Sequence, residues 1–118
     1  MNQRGNVVII EFPFVDGQRG KNRPALVIQA DANNQRLQNT IVSMISGNIR
    51  LAGKVNTQIL IDPQSIAGRT SGLHGPSVVK CENIYTVRQQ DILQVIGRLS
   101  VDLMNEVDMC LKASLGLT

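Results

Sequence analysis

The groups able to do chemistry in this 118-residue chain are few: one histidine, two cysteines, nine carboxylates and twelve lysines or arginines. A single histidine, His74, excludes a nuclease that uses paired histidines as acid and base. It lies in Gly72-Leu73-His74-Gly75-Pro76, which reads as an exposed turn, with a proton-shuttle role as the alternative. No His, Cys, Asp or Glu cluster has zinc-ligand spacing, and the carboxylates are scattered rather than paired for two magnesium ions. No metal and no cofactor is expected. Gly17-Gln18-Arg19-Gly20-Lys21 lacks both the spacing and the Ser/Thr of a nucleotide-binding loop. Cys81 and Cys110 are far apart in sequence, and one bridge would be a thin framework for a secreted domain, so both thiols are expected reduced and buried.

Basic residues, isolated carboxylates and hydroxyls remain, and they suffice for one reaction. RNA carries its own nucleophile, the 2′-hydroxyl. Its cleavage needs only a base for that proton, a cation for the charge developing on phosphorus and an acid for the leaving 5′-oxygen. DNA lacks that hydroxyl and is not cut by the same set. The net charge of +3 is unevenly spread. Arg19, Lys21, Arg23, Arg36, Arg50 and Lys54 face only Asp31 between Gly17 and Ile61, whereas Asp102, Glu106 and Asp108 outnumber Lys112 from Val101 onward. A basic middle suits a polyanion, and an acidic tail suits a separate structural or partner-facing helix.

The elements that must position these groups are mostly short strands. Apolar, β-branched runs recur at Asn6 to Phe12, Ala25 to Gln29, Thr40 to Ile45, Thr57 to Ile61, Ser77 to Thr86 and Ile92 to Leu99. Between them, Pro13 to Asn22 and Ala30 to Asn39 read as the longest loops. Helical periodicity begins only at the end, where Leu103, Met104, Val107, Leu111 and Leu115 share one face, Ser100 suits the N-cap and Gly116 the stop. Parallel crossovers need a dozen or more residues, so the chain is expected to form an antiparallel barrel or strongly coiled sheet with a C-terminal helix packed on it. Residues 1–118 make a single domain. Without a long apolar run or a leader, a cytoplasmic protein with no membrane contact is expected.

Five segments, in order, resemble the MazF/PemK toxin family: Arg4-Gly5-Asn6-Val7-Val8; Lys21-Asn22-Arg23-Pro24-Ala25-Leu26-Val27; Ile41 to Ser46; Ser77-Val78-Val79-Lys80-Cys81-Glu82-Asn83; and Ile96-Gly97-Arg98-Leu99-Ser100. The resemblance implies a mainly β fold, a small antiparallel SH3-like barrel with a C-terminal helix. It also implies a sequence-specific endoribonuclease toxin that cuts single-stranded RNA without metal, acts as a homodimer and is silenced by a small acidic antitoxin.

Carried over by position, Arg23 is the arginine aimed at the scissile phosphate, where its planar fork can make two hydrogen bonds. Ser46 is the hydroxyl beside it, and Lys80 and Glu82 are the acid or charge stabiliser and the general base. Base choice falls to loop groups: Gln18, Asn22 and Asn48, with Arg19, Lys21 and Arg50 as further RNA contacts. Structural alternatives stand beside these roles: a surface ion pair for Arg23, a turn bond for Ser46, a solvated strand face for Lys80 and Glu82. The chain departs from the family pattern in having Lys80 for arginine, Glu82 for aspartate, Asn83 for glutamine and no histidine near Gly17. Two other functions therefore stay open: a non-cleaving toxin of the same fold that binds a protein such as gyrase, and a weakened relative that binds RNA or antitoxin without turnover.

Overall fold

Alternating apolar and polar residues extend the chain into six strands, and a computed structural model describes residues 2–12 and 20–118. The strands are β1 (Asn6–Phe12), β2 (Lys21–Val27), β3 (Asn39–Ser46), β4 (Gln58–Ile61), β5 (Ser77–Arg88) and β6 (Ile92–Arg98). They form one antiparallel sheet in the order β4-β5-β3-β2-β1-β6. A short helix, α1 (Asp31–Arg36), precedes β3, and a longer one, α2 (Val101–Leu115), ends the fold.

The expected barrel does not close strand to strand, since β4 and β6 are the two edges of the sheet. Irregular backbone covers the free edge of β6 instead. The Arg98 amide donates to the Thr70 carbonyl at 3.0 Å, and the Thr70 hydroxyl donates to the Arg98 carbonyl at 2.8 Å. Pairing of exposed strand edges with other chains is thereby blunted on that side.

Both faces of the sheet are dry at its middle. Val7, Leu26, Ile45, Ile59, Val79 and Cys81 pack with Leu103 and Val107 of α2. On the opposite face Val8, Ile10, Phe12, Ala25, Val27 and Val42 form a second cluster, extended where the Phe12 and Tyr85 rings meet edge to face at 5.1 Å. Helix α2 has the expected caps: the Ser100 hydroxyl accepts from the Leu103 amide, and Gly116 adopts a left-handed φ of 71°. Its predicted apolar face is buried at Leu103 and Val107, but Leu115, in the last turn, is 57% exposed. Arg4, in the first of the five segments, ties the N-terminus to this helix through an ion pair with Asp108, and to the residue after β2 by donating to the Ile28 carbonyl.

Two further expectations need correction. Ala30 to Asn39 is not a plain loop, because α1 sits inside it, held by a buried polar network rather than by apolar periodicity. Asn34 accepts from Gln29 at 2.9 Å and from Thr40 at 2.6 Å and donates to the Gln29 carbonyl, so its polar atoms are satisfied in the interior. Strand β2 starts at Lys21 rather than Ala25, because its first residues pair with β1 alone, from Lys21↔Phe12 to Pro24↔Ile9.

Candidate active site

Pro24 shapes the site, since it has no N–H to give a sheet ladder. The pairing of β2 with β3 stops at Ala25↔Met44, so Lys21 to Pro24 run on beside β1 with no strand paired on their other edge among the described residues. Continued two positions, the register would set Arg23 level with Ser46. Alternation puts Arg23 on the same side as Ala25, and pairing then carries that side across the sheet through Met44 to Lys80 and Gln58. Ser46, two residues beyond Met44, shares it. Arg23, Ser46, Lys80 and Gln58 thus lie on one face, the one turned away from α2.

Glu82 joins them through an irregularity in β5. The pairing with β3 jumps from Ser43↔Ile84 to Met44↔Lys80, leaving Cys81, Glu82 and Asn83 without partners on β3. Such a bulge re-aims side chains, and here Glu82 is exposed while Cys81 stays in the core. The Gln58 side chain, 7% exposed, donates to a Glu82 carboxylate oxygen at 2.8 Å and fixes its direction. Gln58 had no signal in the sequence, because its link to Glu82 exists only through the pairing of β4 with β5.

Among the described residues, Arg23, Lys80 and Glu82 form no ion pair; the two ion pairs found there are Arg4–Asp108 and Arg88–Asp91. Ser46 does make the turn bond that was its structural alternative, accepting from the Asn48 amide at 3.1 Å, while the Asn48 side chain accepts from the Arg50 amide at 3.2 Å. A hydroxyl that accepts still has its proton to donate, and the Asn48 side-chain Nδ2 donates to nothing among the described residues, so these bonds set the turn without using up its side-chain donors. Asn48 and Arg50 are exposed on that turn, directly after Ser46. Lys21 and Asn22 are exposed at the start of β2, Lys21 on the Arg23 side and Asn22 on the other. Gln18 and Arg19 lie outside the described residues.

The thiols take no part in this face. Cys81 and Cys110 are free, and they lie beside each other where α2 packs on β5. Burial, reinforced by the neighbouring Cys110 and Glu82, pushes the Cys81 thiol up to about 12. Burial also raises Cys110, so both stay protonated and poor as nucleophiles. Among the described residues no three His, Cys, Asp or Glu side chains converge as metal ligands, and no helix there is long and apolar enough to cross a membrane.

The chain belongs to the PemK-like, MazF-like toxins of type II toxin–antitoxin systems, whose family model matches residues 3–115. It is 34% identical over 116 residues to Endoribonuclease EndoA of Bacillus subtilis (strain 168), covering 98% of this chain and 95% of that protein. In fold it is similar to an endoribonuclease in complex with its cognate antitoxin from a Mycobacterial species, with a TM-score of 0.80 at 19% identity over 100% of this chain and 98% of the other. Mycobacterium tuberculosis toxin MazF-mt6 gives a TM-score of 0.76 at 23% identity, covering 96% and 98%. The MazE-MazF structure from Deinococcus radiodurans gives 0.75 at 19% identity, covering 99% and 98%.

Proposed function

We propose that this chain, an endoribonuclease of its toxin family, cuts single-stranded RNA without metal and with Arg23, Ser46, Lys80 and Glu82 as its working groups. The observation that carries this reading is the common sheet face on which these residues fall across β2, β3 and β5, with no ionic partner among the described residues. Glu82 takes the proton of the 2′-hydroxyl as the O2′–P bond forms. Arg23 and Ser46 donate to the non-bridging phosphate oxygens, where charge accumulates. Lys80 supplies a proton to the 5′-oxygen as the P–O5′ bond breaks, leaving a 2′,3′-cyclic phosphate and a 5′-hydroxyl. Gln58 is a positioning residue, orienting the Glu82 carboxylate. A fixed donor aimed at developing charge is worth about 3 kcal/mol of barrier, so Arg23 and Ser46 together supply a large share of the rate.

Lys21, Asn22, Asn48 and Arg50, with Arg19 and Gln18 in the neighbouring segment, hold the flanking nucleotides. The same basic surface takes the acidic segment of a cognate antitoxin, and the working unit is a homodimer acting in the cytoplasm, where its RNA is found.

Incubation with mixed-sequence single-stranded RNA in EDTA tests the reaction. Cuts at a short recurring motif with cyclic-phosphate ends are expected, and a substrate with a 2′-deoxy nucleotide at the scissile position stays intact. Cleavage of that deoxy substrate, or activity only on adding Mg²⁺, contradicts the reading.

A further inference from the structure

The end of the β2–β3 ladder leaves a gap in the sheet as well as a free edge. A cleft of about 620 Å³ lies there, with Pro24 and Gly47 among its lining residues. That volume is within the roughly 300–1,000 Å³ of small-molecule sites. Pro24 follows Arg23 and Gly47 follows Ser46, so two lining residues are chain neighbours of the groups assigned to the scissile phosphate. We propose that this cleft is a base-binding subsite for the nucleotide next to that phosphate, with His74 and Gln94 as the side chains that read the base; the inference rests on the phosphate-holding role of Arg23 and Ser46.

The lining fits a nucleobase. Ile9, Pro24, Leu73 and Ile96 offer apolar surface to the faces of a ring, and His74 and Gln94, with Ser77, supply the polar lining. His74 and Gln94 are exposed, and their side chains have no hydrogen-bond partner among the described residues. An imidazole can stack on a base and hydrogen-bond its edge, and a glutamine amide presents a donor and an acceptor side by side. Alternation turns Pro24 away from the Arg23 side, so a nucleotide must swing its base round the free edge of β2 to enter. Only an unstacked, single-stranded nucleotide can do so, which is the form in which RNA sequence is usually read.

The wall carrying His74 is built rather than loose. Gly72 has a φ of +74°, and a Cβ on it would stand 2.0 Å from the Ile96 carbonyl oxygen. A Cβ on Gly97 would meet Ser71 at 2.4 Å, so this segment lies directly on β6. The Leu73 amide donates to the Ser71 hydroxyl at 3.3 Å and the Ser77 hydroxyl to the Gly75 carbonyl at 3.0 Å, bracketing His74 between two fixed turns. Little backbone order has to be gained on binding, which favours selectivity.

The test compares wild type with the His74→Ala/Gln94→Ala double variant by sequencing the ends cut from a randomised RNA pool. Wild type shows a base preference at a position flanking the cut, and the variant loses roughly ten- to a hundredfold of it at that one position. A second arm needs no variant: an oligonucleotide abasic at that nucleotide is cut by wild type at least about tenfold more slowly than its parent. Unchanged preference in the folded variant, or an abasic substrate cut as fast as its parent, overturns the subsite while leaving the ribonuclease in place. Intact RNA with folded wild type overturns the ribonuclease reading and the subsite with it.

Discussion

On the side of the sheet that packs against α2, Val7, Leu26, Ile45, Val79, Leu103 and Val107 form an apolar layer broken only locally by the buried Ser43 and Cys81. The other side is as dry over Val8, Ile10, Ala25 and Val42, but its margin on β2, β3 and β5 carries Arg23, Ser46, Lys80 and Glu82. The two sides differ by local interruptions of two ladders, β2–β3 and β3–β5. Pro24 ends the β2–β3 pairing, and the unpartnered stretch Cys81 to Asn83 lifts Glu82 out beside Gln58. A stable sheet and the proposed reactive margin thus come from the same strands, with packing on the helix side and the proposed chemistry where pairing fails.

Substitutions on the two sides should therefore separate stability from activity. The largest expected effect is on the proposed reactive margin: Glu82→Gln removes the proposed base and should lower kcat by about 10²–10⁴-fold. Its denaturation midpoint should match wild type, because the side chain is exposed; a large stability loss would mean that the bulge depends on the charge. Leu103→Ala is the mirror image, costing about 2–5 kcal/mol in urea unfolding through the cavity left under α2. The fraction still folded should cut RNA at the wild-type rate.

Between these extremes lies a pH effect from the helix side. Cys81 keeps its proton in the folded chain up to about 12, while in the unfolded chain it ionises from an ordinary 9.0. Between those values the unfolded state holds fewer protons. Stability is therefore full below pH 9 and falls toward pH 12, with a slope of about 1.4 kcal/mol per pH unit from this group. Cys81→Ala should remove that part of the slope, measured by denaturant titration at several pH values. The smallest effect is expected at Gln58→Leu, which leaves Glu82 without its donor: kcat falls about tenfold and KM holds, consistent with the loss of one hydrogen bond to a charged group. A rise in KM alone would place Gln58 in substrate binding.

Much of this organisation can be read from the residues. Helix α2 is legible because Ser100, Gly116 and the spacing of Leu103 and Val107 all agree, and the strand cores are legible from β-branched alternation. The extra length of β2 is not, because Lys21-Asn22-Arg23-Pro24 has no apolar alternation and Pro24 argues locally against a strand. Helix α1 escapes for a different reason: its hold on the sheet is the Gln29–Asn34–Thr40 hydrogen-bond network, which leaves no hydrophobic period. Arg23, Ser46, Lys80 and Glu82 could be singled out by residue type and by resemblance, but their common face depends on strand order and register. Gln58, and the meeting of Cys81 with Cys110, are products of tertiary packing alone.

The most direct test of the division between the two sides is Arg23→Ala. The variant and wild type are assayed side by side in EDTA on the same single-stranded RNA, with thermal unfolding recorded on the same preparations. The account predicts a loss of cleavage of about 10²-fold or more with an unchanged unfolding midpoint, because Arg23 is exposed and makes no ion pair among the described residues. Cleavage retained within a few fold would contradict it and move the phosphate-holding site off the β2 margin.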